Sequence, residues 1–204
     1  MKKITILLAV LLLSGCSTWT KVSQPRIDSE KKSFSIAAPN DWLRASHLNT
    51  NLSVQDEKGK SKSVDVDRII LTRDGLSLQS IEVARLPGND AFPSIGKAAS
   101  NKIIASELAN LFLANMKKGE GLTNLEVLKI SPDKIAGNDG FRLHVRFKNS
   151  RGLTFERLIF GFANNENFYH LSYQAPRIHY FNNYVTAFMD VLNSFELSSV
   201  NNKA

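Results

Sequence analysis

The chain has 204 residues, a formal net charge of +7 at neutral pH and one cysteine. This length is enough for one well-formed hydrophobic core and short for two, and the single cysteine excludes an internal disulfide. The modest positive charge is not gathered into any run of about five or six like charges, so it indicates weak attraction to anionic surfaces and argues against nucleic acid as a partner.

The amino terminus has the order of parts that is typical of a secretory signal peptide. Lys2 and Lys3 precede a ten-residue apolar run, Ile4 to Leu13, which is followed by two small residues. Because a membrane-spanning helix needs roughly 20 apolar residues, this run is too short to remain in the bilayer. Residues 1–15 are therefore predicted to be a signal peptide and are left out of the predicted fold.

The residues Leu13-Ser14-Gly15-Cys16 resemble the lipobox of bacterial lipoproteins. The resemblance implies cleavage before Cys16, a diacylglycerol on its sulfur and a further acyl chain, such as palmitate, on the new amino terminus. Two or three acyl chains, at about 0.8 kcal/mol per buried methylene, hold a protein on its membrane lastingly. Ser17 follows the cysteine where an acidic residue favours the inner membrane, so the resemblance implies the outer membrane, with the domain facing the periplasm. An ordinary signal peptide with a chance cysteine is the alternative.

Cleavage leaves 189 residues, with 24 basic and 19 acidic side chains. The polar segment that follows Cys16 contains Pro25 and has no sustained apolar period, so residues 16–32 are predicted to be the lipidated cysteine and a flexible tether with a root-mean-square span of roughly 22 Å. We expect a single domain over residues 33–197 and a frayed tail over residues 198–204.

The first half of this domain reads as strands. Apolar residues alternate over residues 34–36, which predicts a short first strand. Val64 to Thr72 and Leu76 to Leu86 are rich in β-branched and aliphatic residues and are joined by Arg73-Asp74-Gly75, so they predict a hairpin. The charged residues 56–63 are predicted to be a loop.

A helix and a set of strands follow. Apolar residues at helical spacing predict a helix from Ile103 to Met116, and Lys117 to Gly119 supply cations and a glycine to end it. The strands predicted next are Leu125 to Ile130, Phe141 to Lys148, Leu153 to Phe162 and Phe168 to Tyr173. Short connections between the last of them favour an antiparallel meander.

A second helix is predicted to start at Pro176, because proline suits the first turn of a helix. Its core stripe at helical spacing consists of Phe181, Tyr184, Val185, Phe188, Met189 and Leu192. The order of strands and helices is mixed and lacks regular alternation, so the predicted class is α+β, an antiparallel sheet with helices packed on it.

Most of residues 33–197 resemble the PsbP-type fold found in DcrB-like bacterial lipoproteins. Beside the hairpin and the middle helix, the matching pieces are Ser33-Phe34-Ser35-Ile36 with Pro39 and Trp42, and the ending from Tyr173-Gln174-Ala175-Pro176 to Val191-Leu192-Asn193-Ser194-Phe195. The resemblance implies a layered α/β sandwich and a role in binding and assembly rather than catalysis. It carries over no catalytic residue.

One predicted strand has a basic face. Four basic residues alternate with apolar ones, which puts them on one side of the strand: Arg142, His144, Arg146 and Lys148. This stripe is a candidate site for an anionic envelope ligand, such as an acidic lipid headgroup, a polysaccharide phosphate or an acidic protein surface. The alternative is a solvated strand face whose charges meet cross-strand partners such as Glu156.

Three further groups of residues are weighed as candidate sites: an aspartate pair, the histidines and the late aromatic residues. Asp65 and Asp67 share a predicted strand face, as paired carboxylates for acid/base or calcium chemistry would, but Arg68 and Arg73 lie nearby and surface charge is the alternative reading. The histidines at 47, 144, 170 and 179 have no metal-binding spacing, and neither a metal, a cofactor nor a catalytic residue is predicted. The late aromatic residues either form core or line a groove between the sheet and the last helix.

These patterns lead to one functional expectation and two alternatives. The expectation is a non-catalytic envelope lipoprotein, bound to the membrane through lipid on Cys16, that binds or helps assemble another envelope component. The first alternative is a periplasmic carrier of a lipid or small apolar ligand. The second is an unrecognised hydrolase built from His144 and nearby carboxylates.

Overall fold

The computed structural model describes residues 19–45 and 51–198. The predicted signal peptide, Cys16, His47 and the tail from residue 199 lie outside the described residues. In chain order the elements are β1 Trp19–Lys21, β2 Arg26–Asp28, β3 Phe34–Ala37, β4 Leu43–Ala45, β5 Asn51–Gln55, β6 Ser61–Asp65, β7 Asp67–Thr72, β8 Ser80–Pro87, α1 Ala105–Gly119, β9 Thr123–Ile135, β10 Asn138–Lys148, β11 Thr154–Asn164, β12 Asn167–Pro176, α2 Phe181–Ser194 and β13 Glu196–Leu197.

The main sheet is antiparallel and has eight strands in the described residues, in the order β1-β4-β7-β8-β12-β11-β10-β9. The predicted meander is confirmed: β9, β10, β11 and β12 are neighbours in the sheet as they are in the chain. A small three-stranded sheet has the order β13-β3-β2, and β5 pairs with β6 as a separate hairpin.

The two faces of the main sheet are covered by different elements. On one, here called the α2 face, helix α2 and the small sheet bury a core that includes Trp42, Phe160 and Phe188. On the other, the α1 face, helix α1 and the β5–β6 hairpin cover a second core that includes Phe141 and Phe168. Since each face is apolar and needs a cover, the result is the predicted α+β sandwich.

Helix α1 occupies the segment that the apolar spacing predicts, with Lys117 and Lys118 in its last turn. The role of Gly119 differs from the prediction, since it is still helical and the left-handed residue is Gly121, at φ 60°. A side chain at Gly119 would collide with the hydroxyl of Ser94, so this glycine allows a close approach between the helix and the preceding loop.

The start of helix α2 corrects a prediction. Pro176 is the last residue of β12, paired with Phe155, and the helix begins at Phe181. Tyr173 fixes this start, because its hydroxyl donates to the backbone carbonyls of Tyr180 and Phe181 at 3.0 and 3.3 Å. Burial raises the pKa of the Tyr173 hydroxyl, which keeps it a donor. Proline is tolerated at a strand end, where no further ladder bond is needed.

The predicted tether is wrong from residue 19 onward. β1 pairs with β4 and β2 pairs with β3, so this segment is part of the folded domain. Ile27 is buried in the α2-face core, and Ser29 is buried beside it. Two three-residue strands with one buried apolar residue between them are too short to show a period, which explains the error.

The predicted hairpin exists with different limits, since β7 ends at Thr72 and β8 starts at Ser80. The Thr72 hydroxyl closes the loop by donating to the carbonyl of Gln79 and accepting from the Gly75 N–H. Part of the predicted loop 56–63 is also strand. There the Asp56 carboxylate accepts backbone N–H groups and makes a tight turn between β5 and β6.

Candidate binding site

The basic residues of β10 share one face of the strand, as their alternation predicts, and that face is the α2 face. Their apolar neighbours Phe141, Leu143 and Val145 are fully buried on the α1 side. Arg142 places its guanidinium 5.6 Å from the ring centre of Phe160, and Lys148 is exposed at the strand end.

Cross-strand carboxylates meet two of these basic side chains. Glu156, whose side chain is 10% exposed, lies 2.9 Å from Nε2 of His144 and accepts hydrogen bonds from Arg146 at 3.0 and 3.2 Å. Arg146 also donates to Glu126 at 3.3 Å. The ring of His144 stacks on Phe181 at 5.3 Å. Cross-strand pairing with Glu156 is therefore what the structure shows for His144 and Arg146.

The hydrolase alternative requires His144 to lie beside several carboxylates. Within the described part of the chain, His144 meets one carboxylate, Glu156, which it shares with Arg146. In residues 19–45 and 51–198, no group of three or more histidine, cysteine, aspartate or glutamate side chains could hold a metal ion.

Asp67 is not the surface charge that the sequence suggests. It begins β7 and is 0% exposed, whereas Asp65 ends β6 and is exposed. The Asp67 carboxylate accepts hydrogen bonds from the hydroxyls of Ser29 and Ser33 and from the backbone N–H of Lys31 at 3.1 Å. It thereby fastens the loop between β2 and β3 to the main sheet.

The hydrogen bonds of Asp67 outweigh its desolvation. Burial alone raises the pKa of the Asp67 carboxyl, but the donors from Ser33, Ser29 and Lys31 together hold it below its ordinary value. Asp67 is therefore ionised at neutral pH and serves as a structural latch, not as one of a pair of catalytic carboxylates.

A cavity of about 430 Å³ opens on the α1 face, between the centre of the main sheet, helix α1 and the β5–β6 hairpin. Its floor is polar and comes from three central strands, with Glu82 from β8, Arg157 from β11, and His170, Ser172 and Gln174 from β12. Its walls mix apolar residues, such as Leu52, Val54 and Phe112, with polar ones, such as Gln55 and Asn115.

Strand alternation explains the polar floor. In β12, Tyr169, Leu171 and Tyr173 point into the buried core of the α2 face, so the residues between them face α1. The sheet register then sets Ser172 opposite Glu82 and Gln174 opposite Arg157. None of the sequence patterns predicts this site. Its only local signal is the alternation His170-Leu171-Ser172-Tyr173-Gln174 in a strand flanked by apolar residues.

Arg157 links the cavity floor to Gln174 of β12 and to Glu120 beyond α1. Its Nε and Nη2 donate to Oε1 of Gln174 at 3.0 and 2.6 Å, and its Nη1 lies 2.8 Å from a carboxylate oxygen of Glu120 just beyond α1. Its guanidinium also packs over the ring of Phe147 at 5.2 Å. On the other side of the floor, Glu82 pairs with Arg68 at 3.5 Å.

His170 sits among aromatic rings at the edge of the floor. Its ring centre lies 5.5 Å from that of Phe112 and 6.1 Å from that of Phe168. Burial lowers the pKa of His170, so the imidazole is neutral at neutral pH. Its Nδ1 is buried and has no hydrogen-bond partner in the described residues. The imidazole therefore adds polarity to the cavity without adding charge.

Of the two readings of the late aromatic residues, core or groove, the structure shows core beside the last helix. Phe181 and Phe188 pack against Tyr173 at 5.3 and 5.9 Å, and Phe188 packs against Phe160 at 6.0 Å. These rings are the core of the α2 face, so the core reading of these residues is confirmed. The cavity lies on the opposite face of the sheet.

This arrangement, an antiparallel sheet between two covering layers with one helix on each face, is the PsbP/Mog1-like fold. The PsbP-type fold that the sequence resemblance implies is therefore confirmed. Among the described residues, neither α1 nor α2 is long and apolar enough to cross a membrane.

Particular solved structures share this fold at low sequence identity. The cyanobacterial PsbP protein CyanoP of Synechocystis has a TM-score of 0.51 and 17% identity, over 91% of this chain and 95% of that chain. The Ran-binding protein Mog1p of Saccharomyces cerevisiae has a TM-score of 0.53 and 12% identity, over 84% and 94%.

A Bacteroides thetaiotaomicron protein matches with a TM-score of 0.52 and 12% identity over 90% of this chain. The match covers 52% of that protein, so the chain spans about half its length. No family model and no curated protein matches the sequence. At these identities the likenesses establish the fold alone.

Proposed function

We propose that this chain is a lipid-anchored lipoprotein of the bacterial envelope whose domain binds another envelope component without catalysing a reaction. The anchor part of the proposal is supported by the lipobox-like Leu13-Ser14-Gly15-Cys16. The observation that carries the binding part is the cavity on the α1 face, with its polar floor at the centre of the sheet.

A polar floor in this position is costly for folding, which is why it suggests function. Central strands covered on both faces usually bury apolar side chains, and a polar group withdrawn from water costs free energy unless it is hydrogen-bonded. Departures of this kind from the pattern of the fold are typical of functional sites. The volume of about 430 Å³ also falls within the roughly 300–1,000 Å³ of small-molecule sites.

The short link to Cys16 supports a domain held close to the bilayer. β1 begins at Trp19, and three extended residues span at most about 10 Å. The β1–β4 edge of the sheet would then face the membrane surface, in place of the longer reach that a flexible tether would give. Ser17 favours the outer membrane, with the domain on its periplasmic side.

The basic stripe of β10 is less well supported as the binding site than the α1-face cavity. Glu156 and Glu126 already neutralise Arg146, and His144 is stacked on Phe181. At Arg146 an anionic ligand would have to displace carboxylates that are in place. The periplasmic-carrier alternative uses the same α1-face cavity and differs only in the chemistry of the ligand.

Comparative affinity capture tests the proposal. The full-length lipidated protein is solubilised, immobilised and exposed to an envelope extract, and the retained glycans, lipids and proteins are identified by mass spectrometry. We expect at least one component to be retained by the wild type and lost with Ser172→Phe, which puts a ring into the cavity. Thr186→Phe, on the exposed side of α2, is the matched control and should retain it.

Identical captures by Ser172→Phe and the wild type would contradict binding through the cavity. Circular dichroism melting curves of both variants show whether each is folded. If Ser172→Phe is unfolded, Ser172→Leu replaces it, because the smaller side chain also reduces the cavity.

A further inference from the structure

We propose that the α1-face cavity binds a neutral, polyhydroxylated ligand, namely one or two sugar rings of an envelope glycan or glycolipid. This inference rests on the proposed function, since it names the ligand class of the same site. It is drawn from the charge balance, the free hydrogen-bonding groups and the aromatic walls of the cavity.

The charged groups of the cavity are already paired with each other. Glu82 pairs with Arg68, and Arg157 pairs with Glu120. His170 is neutral at neutral pH because its ring is buried. A ligand with net charge would compete with one of these ion pairs, in which the two arginines are 11% and 14% exposed while Glu82 and Glu120 are 32% and 39% exposed. A neutral ligand leaves both pairs intact.

The floor still offers uncharged hydrogen-bonding groups. Arg157 uses Oε1 of Gln174, which fixes the amide and leaves its NH₂ group as a donor. The hydroxyl of Ser172 lines the cavity, and no hydrogen bond to it is found within the described residues. Each hydroxyl of a sugar can both donate and accept, so sugar hydroxyls match a mixture of amide, hydroxyl and carboxylate groups.

The walls suit the apolar faces of a sugar ring. Phe112 lines the cavity and is partly exposed, and its ring packs against the fully buried Phe168, with ring centres 6.1 Å apart. The C–H face of a pyranose gains by leaving water against such rings. An acyl chain would fit these walls, but it would cover Glu82, Ser172 and Gln174 without bonding to them, which costs free energy for each polar group.

Saturation-transfer NMR on the full-length lipidated protein in a polyoxyethylene detergent, which carries no sugar, tests this inference. The probes are maltose and N,N′-diacetylchitobiose as neutral sugars, glucuronate as a charged sugar and decanoate as an acyl chain. We expect a neutral sugar to bind, and Ser172→Ala to raise its Kd roughly ten-fold through the loss of one hydrogen bond. Ser172→Thr keeps the hydroxyl and should retain binding, and Thr186→Ala, which removes an exposed hydroxyl, should leave Kd unchanged.

Three outcomes would overturn the inference. Binding of decanoate or glucuronate alone, sensitive to Ser172→Ala, would keep the cavity as the binding site and refute the sugar class. Sugar binding that is indifferent to Ser172→Ala would place it elsewhere on the protein. If none of the four probes binds, the sugar class is refuted as well. The proposed function is refuted only if the affinity capture also fails.

Discussion

Replacing Cys16 with serine is expected to release the protein from the membrane fraction entirely. Acyl chains contribute about 0.8 kcal/mol per buried methylene, so two or three of them supply tens of kcal/mol of membrane affinity that a serine hydroxyl cannot replace. The described domain has no helix that could substitute as a membrane span. Metabolic labelling with an alkyne palmitate, followed by fractionation, measures both effects.

Two variants make this result specific to the cysteine. Ser17→Ala leaves Cys16 in place and should retain labelling and membrane attachment. Ser17→Asp introduces the acidic residue that favours inner-membrane retention and should move the protein between membrane fractions without loss of lipid. The anchor proposal is refuted if the Cys16→Ser protein stays membrane-bound and an intact amino terminus is found by mass spectrometry.

Replacing Asp67 with alanine is expected to lower the free energy of unfolding by about 3 kcal/mol. The carboxylate is fully buried, and hydrogen bonds to a charged group are stronger than those between neutral groups. Without the carboxylate, its buried donors would be left unsatisfied. Those donors lie on Ser29, Lys31 and Ser33, so the loss falls first on the segment from β1 to β3. Urea unfolding gives the free energy, and hydrogen exchange shows whether the amides of that segment open first.

Asp65→Ala is the matched control, since the Asp65 side chain, which forms ion pairs with Lys31 and Arg85, is itself 58% exposed. Its effect should be within about 1 kcal/mol. If Asp67→Ala and Asp65→Ala have the same free energy of unfolding, the Asp67 carboxylate does not hold the β2–β3 loop to the main sheet.

The same carboxylate makes stability depend on pH in a defined direction. The pKa of Asp67 is lower in the folded protein than in the unfolded chain, where it is about 3.9. Its contribution is therefore complete above pH of about 4 and is lost as the pH falls through the folded pKa. Asp67→Asn should flatten this acid limb of the stability curve, as measured by urea unfolding at several pH values.

The sequence predicts the parts of this fold that are long and periodic. Helix α1 and strands β9 to β12 each span ten residues or more, and apolar spacing locates them to within about three residues except at the end of β9, which runs five residues beyond the predicted Ile130. β1 and β2, with three residues each, carry no such period, and their place in the fold depends on β3, β4 and Asp67. Pro176 misled the prediction because proline suits both a strand end and a helix start.

The basic stripe of β10 and the α1-face cavity also differ in how far the sequence predicts them. The basic stripe of β10 lies on one strand, so alternation predicts its common face and the alternative reading names Glu156 as its cross-strand partner, but nothing in the sequence predicts that His144 stacks on Phe181. The cavity floor combines Glu82, Arg157 and Ser172 from strands that are distant in sequence. Only the sheet order brings these residues together, and no single segment of the chain contains enough of the site to reveal it.

Photo-crosslinking in living cells tests the central claim, that this domain binds its envelope component through the α1-face cavity, most directly. A photoreactive amino acid replaces Gln55, an exposed residue that lines the cavity, or Thr186 on the exposed side of α2. We expect a defined adduct from position 55 that disappears when Ser172→Phe is added, and none from position 186. Equal adducts from both positions, or an adduct from position 55 that survives Ser172→Phe, would contradict the claim.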